Sequence, residues 1–300
     1  MADMKTDRLI ILAGGIASRM KAPSARADQI DARLLQDAQQ RSKGMIRVGE
    51  SRRPFLDYLL YNSRAAGYRD IVIVTGVHDQ SIRQHYGLQE RANIYHGLSI
   101  SYATQTIPPG RQKPLGTADA LLQALLIRDD WRGATFIVCN GDNLYSQRAL
   151  ALLATSSHRN AMIDYDRDGL QFEKSRVQRF AITEKDEEGY LVDIIEKPSS
   201  EQVARAVARD ATVGVSMNIF RLDYDLVLPF LQAVPLHSVR GEKELPAAVV
   251  MMAWAHPKSV WTIPLREHVP DLTQPDDLEA VQNYLGKEFR DAEGFPPQKE

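Results

Sequence analysis

Residues 8–20 read Arg8-Leu-Ile-Ile-Leu-Ala-Gly-Gly-Ile-Ala-Ser-Arg-Met20. From Leu9 to Ala13 the run is apolar without polar alternation, which suits a strand covered on both faces of a parallel sheet. Gly14 and Gly15 then let the backbone turn where a Cβ would obstruct it, leaving N–H groups free to meet phosphate oxygens. Arg19 follows with a planar, permanently charged fork suited to the same oxygens. A strand that breaks into a glycine pair opens many α/β proteins, so the reading depends on what surrounds it.

Composition sets the outer bounds. The chain has 300 residues, 44% hydrophobic and 25% charged, enough to bury a full core. A formal charge of −2 supplies no electrostatic case for nucleic acid, whose binders carry a basic excess. The single cysteine, Cys139, excludes an intramolecular disulfide and fits a reducing compartment. No run of about 18 apolar residues occurs and no apolar leader opens the chain, so the expectation is a soluble cytoplasmic protein without a membrane partner. A homo-oligomer is left open. None of the seven histidines has a partner at zinc-ligand spacing.

Beyond the opening strand, residues 54–66 predict a helix with Pro54 at its start and Gly67 at its end, and residues 70–76 a strand. Helices over 80–86 and 117–127 alternate with strands over 99–104 and 135–139. Residues 44–48 read as a further short strand. This alternation predicts an α/β fold with a mostly parallel sheet flanked by helices. Ligands collect beyond the carboxyl ends of such strands. Three loops there carry useful chemistry: 14–19, 105–116 and Asn140-Gly-Asp142-Asn143. Gln105 can donate and accept, as reading a base edge requires, and Gly116 permits close approach of a ring. Thr117 is placed to cap a helix. Asp142 can hold Mg²⁺ against phosphate oxygens, or cap the helix near Ser146.

Residues 22–43 are polar, with sparse apolar positions at Ile30, Leu34 and Leu35, and predict a surface helix or mobile flap too thin for the core, which either covers the mouth of the site or meets a partner chain. From about Ala161 the pattern changes. Strands over 175–183 and 190–195 form a hairpin with the charged tip Asp186-Glu-Glu-Gly189, followed by a capped helix over 199–209 and a strand over 212–220. These predict a small β-rich lobe inserted over the sheet. A strand over 260–264 and a helix over 275–285 close the fold. Residues 1–288 are therefore expected to form one domain, its nucleotide half at 7–160 and its second half at 161–288, with 289–300 frayed.

The motifs, in this order, resemble those of the nucleoside-diphosphate-sugar pyrophosphorylases, the sugar-1-phosphate nucleotidyltransferases of GT-A-like fold. Leu12-Ala-Gly-Gly-Ile-Ala-Ser-Arg-Met20 is similar to that family's opening loop, Lys43-Gly-Met-Ile to its lysine segment, and Gln105 through Leu115-Gly-Thr-Ala-Asp-Ala120 to its base-reading loop. Asn140-Gly-Asp142 is similar to its metal-binding loop and Ile195-Glu-Lys-Pro198 to its sugar-phosphate loop. Ser216-Met-Asn-Ile-Phe220 and Glu242-Lys-Glu-Leu-Pro246 match two later motifs. The resemblance implies Mg²⁺-dependent transfer of a nucleoside monophosphate from an NTP to a sugar 1-phosphate, with release of pyrophosphate.

It also implies roles. Arg19 faces the leaving pyrophosphate, Lys43 the α-phosphate and Lys197 the incoming phosphate. Leu12, Ala13, Gly14, Gly15, Gln105, Gly116 and Thr117 bind the nucleotide; Glu196, Ser216 and Asn218 bind the sugar phosphate with Lys197. Asp142 and Asp271 hold Mg²⁺, and Asp276 and Asp277 sit in the first turn of the closing helix. The chain departs from the pattern at Ala17 and Asn218, where the family carries glycine, at Ala181, at Ser42 in place of a proline, and in the length of 20–42. The alternatives are a non-sugar phosphate acceptor and a nucleotide or sugar sensor without turnover.

Overall fold

Both faces of strand β1 (Arg8–Leu12) are covered: Leu9 and Ile11 enter one core cluster and Ile10 the other, all fully buried. The computed structural model describes residues 5–15, 17–22, 30–210 and 212–289. After β1 come α1 (Ala32–Gln40), the two-stranded ribbon β2 (Arg47–Val48) and β3 (Arg53–Pro54), then α2 (Phe55–Ala66), β4 (Asp70–Gly76), α3 (Ser81–Tyr86), β5 (Asn93–Tyr95) and β6 (Leu98–Gln105). Next are α4 (Thr117–Ile127), β7 (Thr135–Asn140), α5 (Gln147–Ala154), β8 (Ala161–Asp166), α6 (Lys174–Val177), β9 (Ile182–Lys185) and β10 (Leu191–Ile195). The chain continues through α7 (Ser200–Asp210), β11 (Gly214–Asp223), α8 (Tyr224–Ala233), α9 (Leu245–Ala255), β12 (Trp261–Leu265) and α10 (Asp277–Glu288).

Ten of these strands form one sheet in the order β10-β9-β11-β7-β1-β4-β6-β5, with β8 branching from β11 and β12 from β8. Its centre, β7-β1-β4-β6, is parallel, so β1, β6 and β7 deliver their carboxyl ends to one edge. The helix boundaries follow local chemistry. Pro54 precedes α2 and Gly67 ends it with a left-handed φ of +105°, as the proline and glycine predict. Ser199 and Gln202 satisfy each other's backbone N–H groups at the start of α7. Ser146, not Asp142, caps α5 by accepting from Ala149 N–H. Among the described residues no helix is long and apolar enough to cross a membrane.

Several expectations are corrected. The second half is continuous with the sheet rather than laid over it, because β11 pairs antiparallel with β7, Phe220 opposite Val138. β11 is buried on both faces, with Met217 and Ile219 on one and Phe220 and Leu222 on the other, so its backbone needs a ladder partner in the interior. Residues 175–183 split into α6 and the start of β9: a helical turn buries Val177 while turning Arg176 toward two carboxylates. Residues 43–45 form a 3-10 turn and only Arg47 and Val48 are strand.

Helix α1 does reach the core. Ile30, Leu34 and Ala38 join the main cluster, and buried Asp37 accepts from Arg47 Nε at 2.7 Å and Nη2 at 2.8 Å. Within the segment that contains it, 23–29 lie outside the described residues, as do 290–300 of the tail. Phe289, where fraying was expected to begin, packs edge-on against Tyr58 at 5.1 Å and Tyr61 at 6.1 Å.

Candidate active site

The carboxyl end of β1 is held from both sides: Ala13 N–H donates to Val74 O and Gly141 N–H to Leu12 O, each at 2.9 Å. The glycine loop that follows forms a wall shared by two adjoining hollows of about 320 and about 330 Å³. Gly14 packs closely, since a Cβ there would stand 3.3 Å from Gln105 Oε1, which would have to give by a few tenths of an ångström, and 3.4 Å from Gly76 N. Ala17 has a φ of +56° and Asn218 the same value, so two of the three positions where the family resemblance expects glycine hold left-handed backbone, while the third, Ala181, does not. Asparagine tolerates that conformation better than alanine.

The first hollow brings together residues far apart in the chain. Arg19, Lys43 and Asp142 line it, as do Leu12, Ala13, Gly14, Gly15, Gln105, Gly116 and Thr117. Lys43 Nζ lies 2.8 Å from Asp142 Oδ2, an ion pair across the floor between the turn after α1 and the loop after β7. Glu196, Lys197, Ser216, Asn218 and Asp271 do not line this hollow. Glu196 accepts from Arg240, which also pairs with Glu244. Burial, and then the charge of Glu196, raise the Glu244 carboxyl pKa. Lys197 has a φ of +47°. Ser216 sits opposite Asp164 in the β11–β8 ladder, and Asn218 lies where that ladder shifts register.

Gln105 is fixed in one orientation. Its amide nitrogen donates to Gly116 O at 2.7 Å and Asp119 Oδ2 at 2.9 Å. Both neighbours are acceptors only, so the NH₂ must face them. What remains for a ligand is Oε1, an acceptor. Gly116 is held in turn: its φ is +106°, and a Cβ would fall 2.5 Å from Lys243 O. Lys243 O accepts from Ala118 N–H at 3.0 Å, and Thr117 Oγ1 accepts from Leu245 N–H at 2.9 Å, tying the Gln105 loop to the start of α9.

Asp271 is brought beside Asp142 by backbone. Asn143 and Asp271 form an antiparallel bridge, Leu272 N–H donates to Asp142 O at 2.9 Å, and Leu144 N–H to Pro270 O at 2.8 Å. Asp271 Oδ2 pairs with Arg176, whereas Oδ1 is buried with no hydrogen-bond partner. Burial raises the Asp271 carboxyl pKa; Arg176 pulls it down and the Asp142 charge pushes it up. Two carboxylates with an orphaned oxygen fit a hard cation that completes its shell from phosphate oxygens. No group of three or more His, Cys, Asp or Glu placed to hold a metal occurs among the described residues.

Sequence reasoning gave no role to Lys113 or Glu242, which line the first hollow, or to Gln40, Arg41 and Ser42, which line the second. Lys113 belongs to the loop 105–116 and Glu242 to a quoted motif, so both had a signal; for α1 the signal was the thin apolar stripe of 22–43, which pointed to a cover over the site without naming Gln40, Arg41 or Ser42. A family model described as nucleotidyl transferase matches residues 32–253. Among solved structures, a UDP-glucose pyrophosphorylase from Acinetobacter baumannii superposes with a TM-score of 0.66 at 15% identity, over 96% of this chain and 95% of that one. A UTP-bound UGPase from the same organism superposes with a TM-score of 0.68, at the same identity and coverage. At that identity the likeness is one of fold.

Proposed function

Because the chain belongs to the nucleotidyl transferase family, we propose that it transfers a nucleoside monophosphate from an NTP to a sugar 1-phosphate, giving an NDP-sugar and pyrophosphate. The observation that carries the reading is the convergence of Arg19, Lys43, Asp142, the glycine loop and Gln105 on one hollow at the carboxyl edge of the parallel strands. Two polyanions must meet there while negative charge moves onto the leaving group, so preorganised cations are the main catalytic device. An acceptor phosphate oxygen attacks the α-phosphorus in line as the bond to the bridging oxygen of pyrophosphate breaks. No covalent enzyme intermediate is needed.

Arg19 binds the departing pyrophosphate by its fork. Lys43, held ready by Asp142, binds the α-phosphate oxygens. Lys197 holds the incoming phosphate, Glu196 accepts from sugar hydroxyls, and Ser216 and Asn218 complete the sugar-phosphate side. Mg²⁺ held by Asp142 and Asp271 supplies charge neutralisation at the phosphates when bound. Gln105 Oε1 reads the base by accepting from a ring N–H or an exocyclic amino group. The ring N–H of uracil meets that requirement, and the fold neighbours named above make UTP with glucose 1-phosphate the first pair to test.

The experiment incubates the protein with Mg²⁺, each NTP and a panel of sugar 1-phosphates, and reads pyrophosphate release. Release with at least one pair, abolished by Asp142→Ala, is expected. Nucleotide binding without release across the panel would refute the enzyme reading in favour of a sensor.

A further inference from the structure

Arg176 does not line the hollow, yet three groups converge on its guanidinium. Its Nη2 lies 2.8 Å from Asp271 Oδ2, its Nη1 donates to Asp277 Oδ1, and its Cζ stands 4.5 Å from the centre of the Phe172 ring. The side chain is only 18% exposed. Asp277 is anchored independently: its Oδ2 accepts from Thr273 N–H and Gln274 N–H, each at 2.8 Å. Asp277 and Phe172 therefore set where the guanidinium lies, and Asp271 meets a fork already in place. Its other oxygen is the buried one without a partner.

We propose that Arg176 is the positioning residue of the divalent-ion site, gripping Asp271 by Oδ2 so that Oδ1 is the oxygen left for an ion shared with Asp142. The inference rests on the reading that these two carboxylates hold that ion. The terminal torsion of an aspartate is soft, so an ungripped carboxylate samples a broad range of orientations and loses them on ligation. Gripping it beforehand removes that cost. A cation so close to the site would also repel a metal, but Arg176 is already matched by Asp277. Paired in this way, it orients Asp271 while leaving that carboxylate's charge available. Outer partners of this kind typically carry a 10- to 100-fold share of metal affinity.

The test titrates Mn²⁺ into the full chain and follows the free ion by electron paramagnetic resonance. Arg176→Met should weaken Mn²⁺ binding about tenfold, with the far-ultraviolet circular dichroism unchanged. Arg176→Lys keeps the charge without the fork and should weaken it by about two- to fivefold, less than loss of the whole outer partner. If Arg176→Met does not fold, the lysine variant decides, and unchanged affinity there overturns the inference. Binding that needs Asp142 and Asp271 but is equal or tighter in Arg176→Met overturns the inference alone. Binding indifferent to Asp142→Ala overturns the metal reading beneath it as well.

Discussion

Asp119→Ala tests how the base reader is held. Asp119 lies outside the hollow's lining and is 9% exposed, but its Oδ2 takes one of the two N–H bonds that fix Gln105. A hydrogen bond to a charged group contributes about 1.5–3 kcal/mol net. Without it, only Gly116 O, at 2.7 Å, keeps the amide turned. A bias of about 1.4 kcal/mol in orientation is a factor of ten in population. The KM for the preferred NTP should therefore rise about tenfold, while kcat changes less than about threefold because Arg19, Lys43 and Asp142 are untouched. Discrimination among bases should narrow, since a freed amide can present its N–H₂ to the hollow instead of Oε1. Asp119→Asn keeps a neutral acceptor and should lie between wild type and alanine. The assay is steady-state pyrophosphate release over a range of each NTP, with isothermal titration of the nucleotide as a check. Unchanged KM and unchanged base preference in Asp119→Ala would refute the claim that Asp119 orients the reader.

Two further outcomes follow from backbone and burial. Ala17→Gly removes a Cβ from left-handed backbone, a conformation that costs a non-glycine residue about 1–2 kcal/mol; thermal unfolding should shift upward by a few degrees, or NTP affinity rise severalfold, and a fall in both would show that Ala17 is not strained. His268 Nδ1 accepts from Gln171 N–H at 3.1 Å and its ring packs on Phe172 at 4.8 Å. Burial, and then Arg176, lower its pKa from 6.5 to about 4. The unfolded chain therefore takes up a proton first as pH falls. Stability from this group is complete above pH 6.5 and declines by up to roughly 3 kcal/mol on going down to about pH 4. Urea unfolding across that range should show a slope that His268→Gln flattens.

Much of the parallel half was legible because its signals are local. Residues 70–76 and 117–127 coincide with β4 and α4, the first an apolar run bounded by a glycine and the second opened by Thr117. The edge strand β5 escaped, since three residues with an outward Ile94 carry no periodicity. Strand β8 escaped too: Asp164 interrupts its apolar pattern, and that aspartate is buried only because Thr183 and Lys185 Nζ, at 2.7 Å, satisfy it from β9. Helix α1 was judged too polar for the core because nothing nearby in sequence says that Asp37 will be covered by Arg47.

The sequence by itself determined the order of elements, the placing of glycines where backbone must turn left-handed or come close, and a set of charged residues in strand-end loops. Those depend on periodicity, β-carbon sterics and side-chain chemistry, all properties of a few neighbouring residues. Only the tertiary structure decided that Lys43 meets Asp142, that Gln105 has just its oxygen to offer, that Asp271 lies beside Asp142, and that Arg176 grips it. Each of these joins residues distant in the chain, and their distances are set by the register of packed strands and by which polar groups find partners on burial.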